Sequence, residues 1–262
     1  MKIDDSTELR LGDYREALAD VDEVDAVIVD APYSARTHGR HNNGASRAGW
    51  LSSGVNCDGV QRRAIDYSGF SDDDVRAFCD LWSPRCRGWF VTITDDVLAP
   101  VWSAALAMHG RYVFAPLPWY APGSRARLSG DGPSSWTCWI VVARPRSGTF
   151  RDGTAANRWG TLPGGYNITQ DRCIVVGGKP IALMRALVRD YTRPGDLVVD
   201  PCAGGGTTLR ACQLEGRRSI GAELDPDTHA KAVERLRAPY SRPLLLDAPT
   251  PKQVDWIDGG ES

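Results

Sequence analysis

The sequence predicts an α/β protein built on a doubly wound, mainly parallel sheet. Three observations carry that prediction. Short runs rich in Val and Ile alternate with helix-like segments along most of the chain. Two of the most apolar runs end at an acid: Asp25-Ala26-Val27-Ile28-Val29 before Asp30, and Gly195-Asp196-Leu197-Val198-Val199 before Asp200. The second run passes through three consecutive glycines into a helix, at the strand end where open α/β sheets place their ligands.

Taken in order, Glu8-Leu9-Arg10-Leu11 reads as a short strand and Tyr14 to Asp20 as a short helix. Asp25 to Val29 reads as a strand apolar enough to be buried on both faces. Ser34 to Ser68 is rich in Gly, Ser, Asn and Arg and has little periodicity, as an inserted loop would. Ser71-Asp72-Asp73-Asp74 is a capping signal for a helix through Trp82. A strand over Gly88–Ile93, a helix over Asp96–His109 and a strand over Arg111–Leu117 follow. Ala121 to Ser135 is a second Gly/Ser/Arg loop, Trp136–Ala143 a strand, and Arg144 to Cys173 irregular. Ile181–Tyr191 reads as a helix opened by Lys179-Pro180, Leu209–Gly216 as a helix stopped by glycine, Arg218–Glu223 as a strand and Asp225–Leu236 as a helix. Residues 1–240 are therefore expected to form one domain, with inserted loops at about 34–68 and 121–173. The proline-rich, acidic tail over 241–262 is expected to be loose.

Composition sets bounds. The chain has 262 residues, 42% of them hydrophobic, enough for a large α/β core, and a formal net charge of -2 that gives no global polyanion signature. The charge is uneven: residues 1–30 carry ten acids against three bases, and residues 34–63 carry five arginines against Asp58. Residues 121–158 carry six arginines against two acids, and such local patches decide whether a polyanion can dock. The seven cysteines form no C-x-x-C pair, so neither a zinc site nor a secreted disulfide framework is expected, and no metal is assigned. Free thiols point to a reducing, cytoplasmic setting. No apolar run approaches the roughly 20 residues that span a bilayer, and the N-terminus lacks the apolar stretch of a signal peptide.

Asp200-Pro201-Cys202-Ala203-Gly204-Gly205-Gly206-Thr207-Thr208 is a strand-to-helix turn at which a backbone lacking Cβ atoms can approach a ligand. It is not the G-x-G-x-x-G of a nicotinamide site. The acid ahead of the glycines would repel a pyrophosphate and suits a cationic or amine-bearing ligand such as S-adenosylmethionine. About twenty residues on, Glu223 stands where a carboxylate can accept from both hydroxyls of a ribose. Asp30-Ala31-Pro32-Tyr33, after the earlier buried strand, offers a carboxylate, a main-chain carbonyl beside a proline and a flat aromatic face. Two acceptors and a stacking platform make a pocket for an aromatic exocyclic amine. An ordinary strand-ending turn is the plainer account of that tetrapeptide taken alone.

Together these segments resemble the DNA amino-methyltransferases that modify adenine N6 or cytosine N4, whose amine motif reads D/N/S-P-P-Y and whose cofactor motif reads approximately D-P-F-x-G-x-G-T-T. The amine motif comes first, the permuted order of the beta class. Leu11-Gly12-Asp13, Lys179-Pro180 and Gly221-Ala222-Glu223-Leu224-Asp225-Pro226 match further family segments, so the resemblance runs from about Leu9 to Leu236. Ala31 replaces the first proline of the pair, and Cys202 replaces the usual Phe.

The resemblance implies a Rossmann-like fold of the class I S-adenosylmethionine-dependent methyltransferases and direct methyl transfer to a flipped base in double-stranded DNA. Adenine N6 is favoured because Asp opens the amine motif, with cytosine N4 the alternative. It implies that Asp30, Ala31, Pro32 and Tyr33 are catalytic. It places Asp13, Lys179, Pro180, Asp200, Pro201, Cys202, Ala203, Gly204, Gly206, Thr207, Thr208, Glu223 and Leu224 around the cofactor. Flipping costs a few kcal/mol, and orientation and charge placement would supply much of the rate. Arg36, Arg40, Arg47, Arg62, Arg63, Arg125 and Arg127 are the candidate DNA contacts, although loop arginines are often merely solvated. A compact enzyme of this kind is expected to hold a duplex as a homodimer or with a partner subunit.

Pro201-Cys202 also invites comparison with the cysteine nucleophile of cytosine C5 enzymes, but it lies inside the cofactor turn and has no E-N-V partner motif. The reading of another class is a non-catalytic module that binds nucleic acid or S-adenosylmethionine. The intact Asp30, Tyr33 and glycine turn count against it.

Overall fold

A computed structural model describes residues 1–37, 68–122, 133, 135–146, 162–169 and 178–240. The strands are β1 (Thr7–Leu11), β2 (Ala26–Asp30), β3 (Phe90–Thr94), β4 (Tyr112–Val113), β5 (Leu117–Tyr120), β6 (Thr137–Arg144), β7 (Tyr166–Asn167), β8 (Leu197–Asp200) and β9 (Arg218–Glu223). The helices are α1 (Tyr14–Ala17), α2 (Asp72–Trp82), α3 (Ala99–Met108), α4 (Ile181–Tyr191), α5 (Thr207–Glu215) and α6 (Pro226–Arg237).

The strands join one sheet in the order β1-β9-β8-β2-β3-β6-β5-β7, with β4 also on β6. β1, β9, β8, β2 and β3 are mutually parallel, whereas β6 runs antiparallel to β3, β4 and β5. The sheet is therefore mostly parallel and mixed at one end. Side chains alternate across β2. Val27 and Val29 join the core that holds Phe78, Trp82 and Trp102 of α2 and α3. Ala26 and Ile28 join Leu183, Leu187, Ala211 and Cys212 of α4 and α5 on the other face. A smaller cluster of Leu9, Ala203, Leu209, Ala232 and Leu236 seats α6.

Several elements follow their local sequence signals closely. Ser71 and Asp74 form a reciprocal capping box at the start of α2, and α4 and β9 have the boundaries the sequence suggests. Three expectations need correction. The strand expected over Arg111–Leu117 is divided into β4 and β5. Continuing the Val113↔Ala143 register would set Pro116 opposite Ile140, but Leu117 stands there. One residue is extra, as in a bulge, at a proline that cannot donate to the ladder. Second, β7 lies within the stretch expected to be irregular and pairs with β5. Third, α1 is shorter than Tyr14–Asp20, because Leu18 already leaves helical geometry. The tail over 241–262 and most of both inserted loops lie outside the described residues.

Gly221 on β9 shows why the strand before Glu223 carries a glycine. A Cβ there would lie 2.9 Å from the Asp200 carbonyl oxygen, 3.0 Å from Leu209 Cδ1 and 3.1 Å from Ala203 Cβ. Gly221→Ala should therefore push β9 off the glycine turn and cost about 1–3 kcal/mol, the usual penalty of overpacking. Urea unfolding with tryptophan fluorescence checks this; a neutral substitution would refute the close approach.

Candidate active site

Each parallel strand leads into an acid. β2, β8 and β9 end in Asp30, Asp200 and Glu223, while Asp13 follows β1 by two residues and Asp95 follows β3 directly. Because the five strands run the same way, these carboxylates emerge on one edge of the sheet. The backbone ties that edge together: Leu11 is level with Glu223, and Gly12 N–H donates to the Glu223 carbonyl at 2.9 Å.

The glycine turn lies between β8 and α5. Gly204 and Gly206 have φ of 52° and 70°, the left-handed region that glycine tolerates. Their roles differ. A Cβ on Gly206 would meet Leu236 and Ala232 of α6 at 3.3–3.4 Å, so that glycine permits packing. A Cβ on Gly204 would meet no atom nearer than the Cys202 carbonyl at 4.0 Å, so it would project into open space over the turn. Gly204 N–H donates to Glu223 Oε2 and Asp225 N–H to Glu223 Oε1, both at 2.8 Å. Burial raises the Glu223 carboxyl above its ordinary range, against the pull of those two donors. Asp200 is 1% exposed and accepts from Cys202 N–H at 3.1 Å. Burial pushes its carboxyl up to about 7; the Thr208 hydroxyl and Cys202 N–H oppose that rise, and the charges of Asp30 and Glu223 add to it. Asp200 thus braces the turn from inside. Thr207 accepts from Arg235 Nη1 at 2.8 Å.

Pro201, Ala203 and Thr208 are buried, Asp13, Cys202 and Glu223 are partly exposed, and Leu224 is exposed. Asp13 caps α1 and pairs with Arg15, which holds its carboxyl below the ordinary range. The Cys202 thiol is driven well up by burial and by the carboxylates of Asp200, Glu223, Asp30 and Asp13, so it stays protonated and is a poor nucleophile.

Asp30-Ala31-Pro32-Tyr33 leaves β2 beside this turn, with β2 and β8 adjacent and parallel. Lys179 Nζ lies 2.5 Å from Asp30 Oδ2 and 4.9 Å from the centroid of the Tyr33 ring. Lys179, grouped with the cofactor residues in the sequence, therefore reaches the amine motif. Tyr33, expected to offer a flat face for stacking, is only 8% exposed, and its hydroxyl lies 3.5 Å from Cys138 Sγ. Pro180 is buried at the N-terminal boundary of α4.

Asp95 is missing from the residues the sequence singles out, and Leu11 enters there only through the segment Leu11-Gly12-Asp13. Asp95 Oδ2 accepts from Ser34 N–H at 3.1 Å and from the Ser34 and Thr37 hydroxyls at 2.5 Å, while Oδ1 takes the Leu98 N–H at 3.0 Å. Burial pushes its carboxyl up, but those hydrogen bonds outweigh burial and leave it below the ordinary range. Phe70 N–H adds a 3.0 Å bond to the Tyr33 carbonyl, so the segment after Tyr33 is anchored from two sides. A strand-ending acid, the pattern of Asp30, was the available signal for Asp95. Leu11 is 52% and Leu224 64% exposed, an apolar pair on either side of Glu223. Arg36 is paired with Asp96 on the surface. Arg40, Arg47, Arg62, Arg63, Arg125 and Arg127 lie outside the described residues.

The fold and the edge define a class: a Rossmann-like sheet of the class I methyltransferase type, with a glycine turn and an amine-type motif on adjacent strands. Residues 176–234 match a family model for N6/N4 enzymes described as DNA methylase. The chain is 27% identical over 165 residues to the type II methyltransferase M.XycI of Xanthomonas campestris pv. cyanopsidis, covering 58% of this chain and 54% of that one. Among solved structures, the M1.HpyAVI–SAM complex aligns over 87% of this chain and 99% of its own, with a TM-score of 0.63 and 18% identity. PvuII DNA methyltransferase, titled cytosine-N4-specific, aligns over 91% of this chain and 88% of its own, with a TM-score of 0.62 and 15% identity. The matched segment and these relatives support a likeness to the N6/N4 amino-methyltransferase family. It spans about half the length of the curated relatives it matches.

Asp95→Asn removes the charge to which these donors point. It should destabilise the protein at neutral pH by about 2–3 kcal/mol, the scale of hydrogen bonds to a charged group. Since the folded carboxyl lies below its unfolded value, that stability is present above the unfolded pKa and is lost as pH falls through the folded one. Denaturation series from pH 7 to 3 should show wild type and variant converging; a constant gap would sink the assignment.

Proposed function

We propose that the chain is an S-adenosylmethionine-dependent DNA methyltransferase acting on the exocyclic amine of a flipped base, adenine N6 in preference to cytosine N4. One observation carries this reading: an amine-accepting carboxylate and an acid-lined glycine turn leave adjacent parallel strands on the same edge. The two constellations are thereby close enough to serve one reaction.

The residues fit the cofactor. The open space above Gly204 is a cradle that any side chain there would fill. Asp13, Asp30, Asp200 and Glu223 gather around Cys202, an environment suited to a cation and hostile to a pyrophosphate. Glu223 would hold the ribose hydroxyls with the lone pairs left by Gly204 and Asp225, and exposed Leu11 and Leu224 would flank the adenine ring. The bound cofactor supplies an electrophilic methyl group on a sulfonium.

The chain's own residues do the rest. Asp30 accepts one hydrogen of the target amine, and the Ala31 carbonyl is placed to accept the other. That draws the nitrogen lone pair out of the ring and aims it at the methyl. Tyr33 stacks on the base once its cover is displaced, and stacking offsets part of the cost of flipping. The cysteine has no role as a nucleophile. Asp30 is the basis for preferring adenine, and duplex DNA with a second subunit to grip it remains part of the proposal.

Incubation with tritiated methyl donor and unmethylated DNA should label the DNA, and nucleoside analysis should yield N6-methyladenine. N4-methylcytosine would reassign the base; cofactor binding by calorimetry with no label in any nucleic acid would favour a non-catalytic module. Asp30→Ala should lower transfer by about 10²–10³-fold, the scale of removing one positioned polar group, and spare cofactor affinity. Glu223→Ala should weaken cofactor binding by about 10–100-fold. If Asp30→Ala instead abolished cofactor binding, the division of labour would be wrong.

A further inference from the structure

We propose that Lys179 is a positioning residue that keeps Asp30 ionised and fixed as a hydrogen-bond acceptor for the incoming amine; this rests on the methyltransferase reading above. The geometry is the first support. The ammonium lies 2.5 Å from Asp30 Oδ2 and 4.9 Å from the Tyr33 ring centroid, so one cation touches both members of the amine pocket. It is 7% exposed, and the Asp30 side chain is 23% exposed, so water screens the pair weakly.

The second support is how the lysine is held. It sits immediately before Pro180, whose carbonyl accepts from Leu183 N–H at 3.1 Å and Met184 N–H at 3.3 Å at the start of α4. Leu183 and Leu187 of that helix are fully buried in the core beneath β2. The backbone that carries the ammonium is therefore fixed relative to Asp30, unlike that of a surface lysine.

The third support is a comparison inside the site. Asp200, on the neighbouring strand, has a backbone N–H and a hydroxyl as its partners, and burial pushes its carboxyl up to about 7. Near Asp200 lie the carboxyls of Asp30 and Glu223, and the protonated thiol of Cys202 in the turn lies near those three acids and Asp13. All of these disfavour another negative charge or leave it uncompensated. Lys179 brings a cation to Asp30. A protonated Asp30 would turn a donor toward the amine hydrogens and leave the nitrogen lone pair in the ring. Ionisation of Asp30 is therefore the condition for the proposed chemistry, and Lys179 meets it.

The test is the titration of Asp30 itself, followed by carbon-13 NMR in cofactor-free protein labelled at the aspartate carboxyls, with Asp30→Asn to assign the signal. An opposite charge at this range lowers a carboxyl by about 1–3 units. Lys179→Met should therefore raise the Asp30 midpoint by that amount, and Lys179→Arg should hold it near wild type. If Lys179→Met does not fold, Lys179→Gln carries the same expectation. In transfer assays the acid limb of kcat should move to higher pH by the same interval, about tenfold in rate per unit below the limb. The deficit should close as pH rises, with KM for DNA changing less. An unmoved Asp30 titration, or a loss equal at every pH, would overturn the proposal. If Asp30 responds as expected while wild type transfers methyl to no nucleic acid, the ion pair stands and the functional reading falls.

Discussion

Five parallel strands that end together bring five carboxylates to one edge, and much of the local structure answers that concentration of charge. Two unit charges about 7 Å apart repel by about 2 kcal/mol at an effective dielectric near 20, so the acids cannot all remain ionised without help. Each is treated differently. Asp13 caps a helix and pairs with Arg15, and Asp95 gathers two hydroxyls and backbone N–H groups. Glu223 takes two N–H donors, and Asp30 takes the Lys179 ammonium. Asp200 is left with a hydroxyl and an N–H, and its carboxyl rises to about 7. What remains is a negative edge, an environment suited to a cation.

The three glycines beside that edge illustrate how one short motif meets several demands at once. Gly204 leaves space above the turn and gives its N–H to Glu223. Gly205 gives its carbonyl to Arg235 at 3.2 Å. Gly206 lets α6 pack against the turn. Only the first faces outward. The other two belong to the scaffold, and at Gly206 the left-handed, close-packed backbone would be needed whatever was bound.

What the sequence revealed and what it hid divide along chain separation. The two buried strands, the capping box, α4, β9 and the glycine turn depend on neighbours within a few residues, and all were legible. So was the mostly parallel sheet, because alternation of strand and helix admits few other arrangements. The split between β4 and β5 depends on the register of β6, which no local pattern encodes. Asp95 meets Ser34 across 61 residues and Lys179 meets Asp30 across 149. Those pairings decide how the amine motif is held, and one covers the face of Tyr33 that the tetrapeptide alone offered for stacking.

The same separation explains why the two halves of the site are not independent. The glycine turn, Glu223 and Lys179-Pro180 of the proposed cofactor half fall within residues 176–234 that the family match covers, whereas Leu11 and Asp13 lie near the N-terminus. The acceptor half lies some 150 residues earlier. Lys179 joins them: its chain leads into α4, α4 packs against α5 in one core, and Arg185 pairs with Glu215 across the two helices at 2.6 Å. The N-terminus of α5 is the glycine turn. The Asp30 carboxylate is thus held by a lysine whose helix packs against the helix that the glycine turn opens.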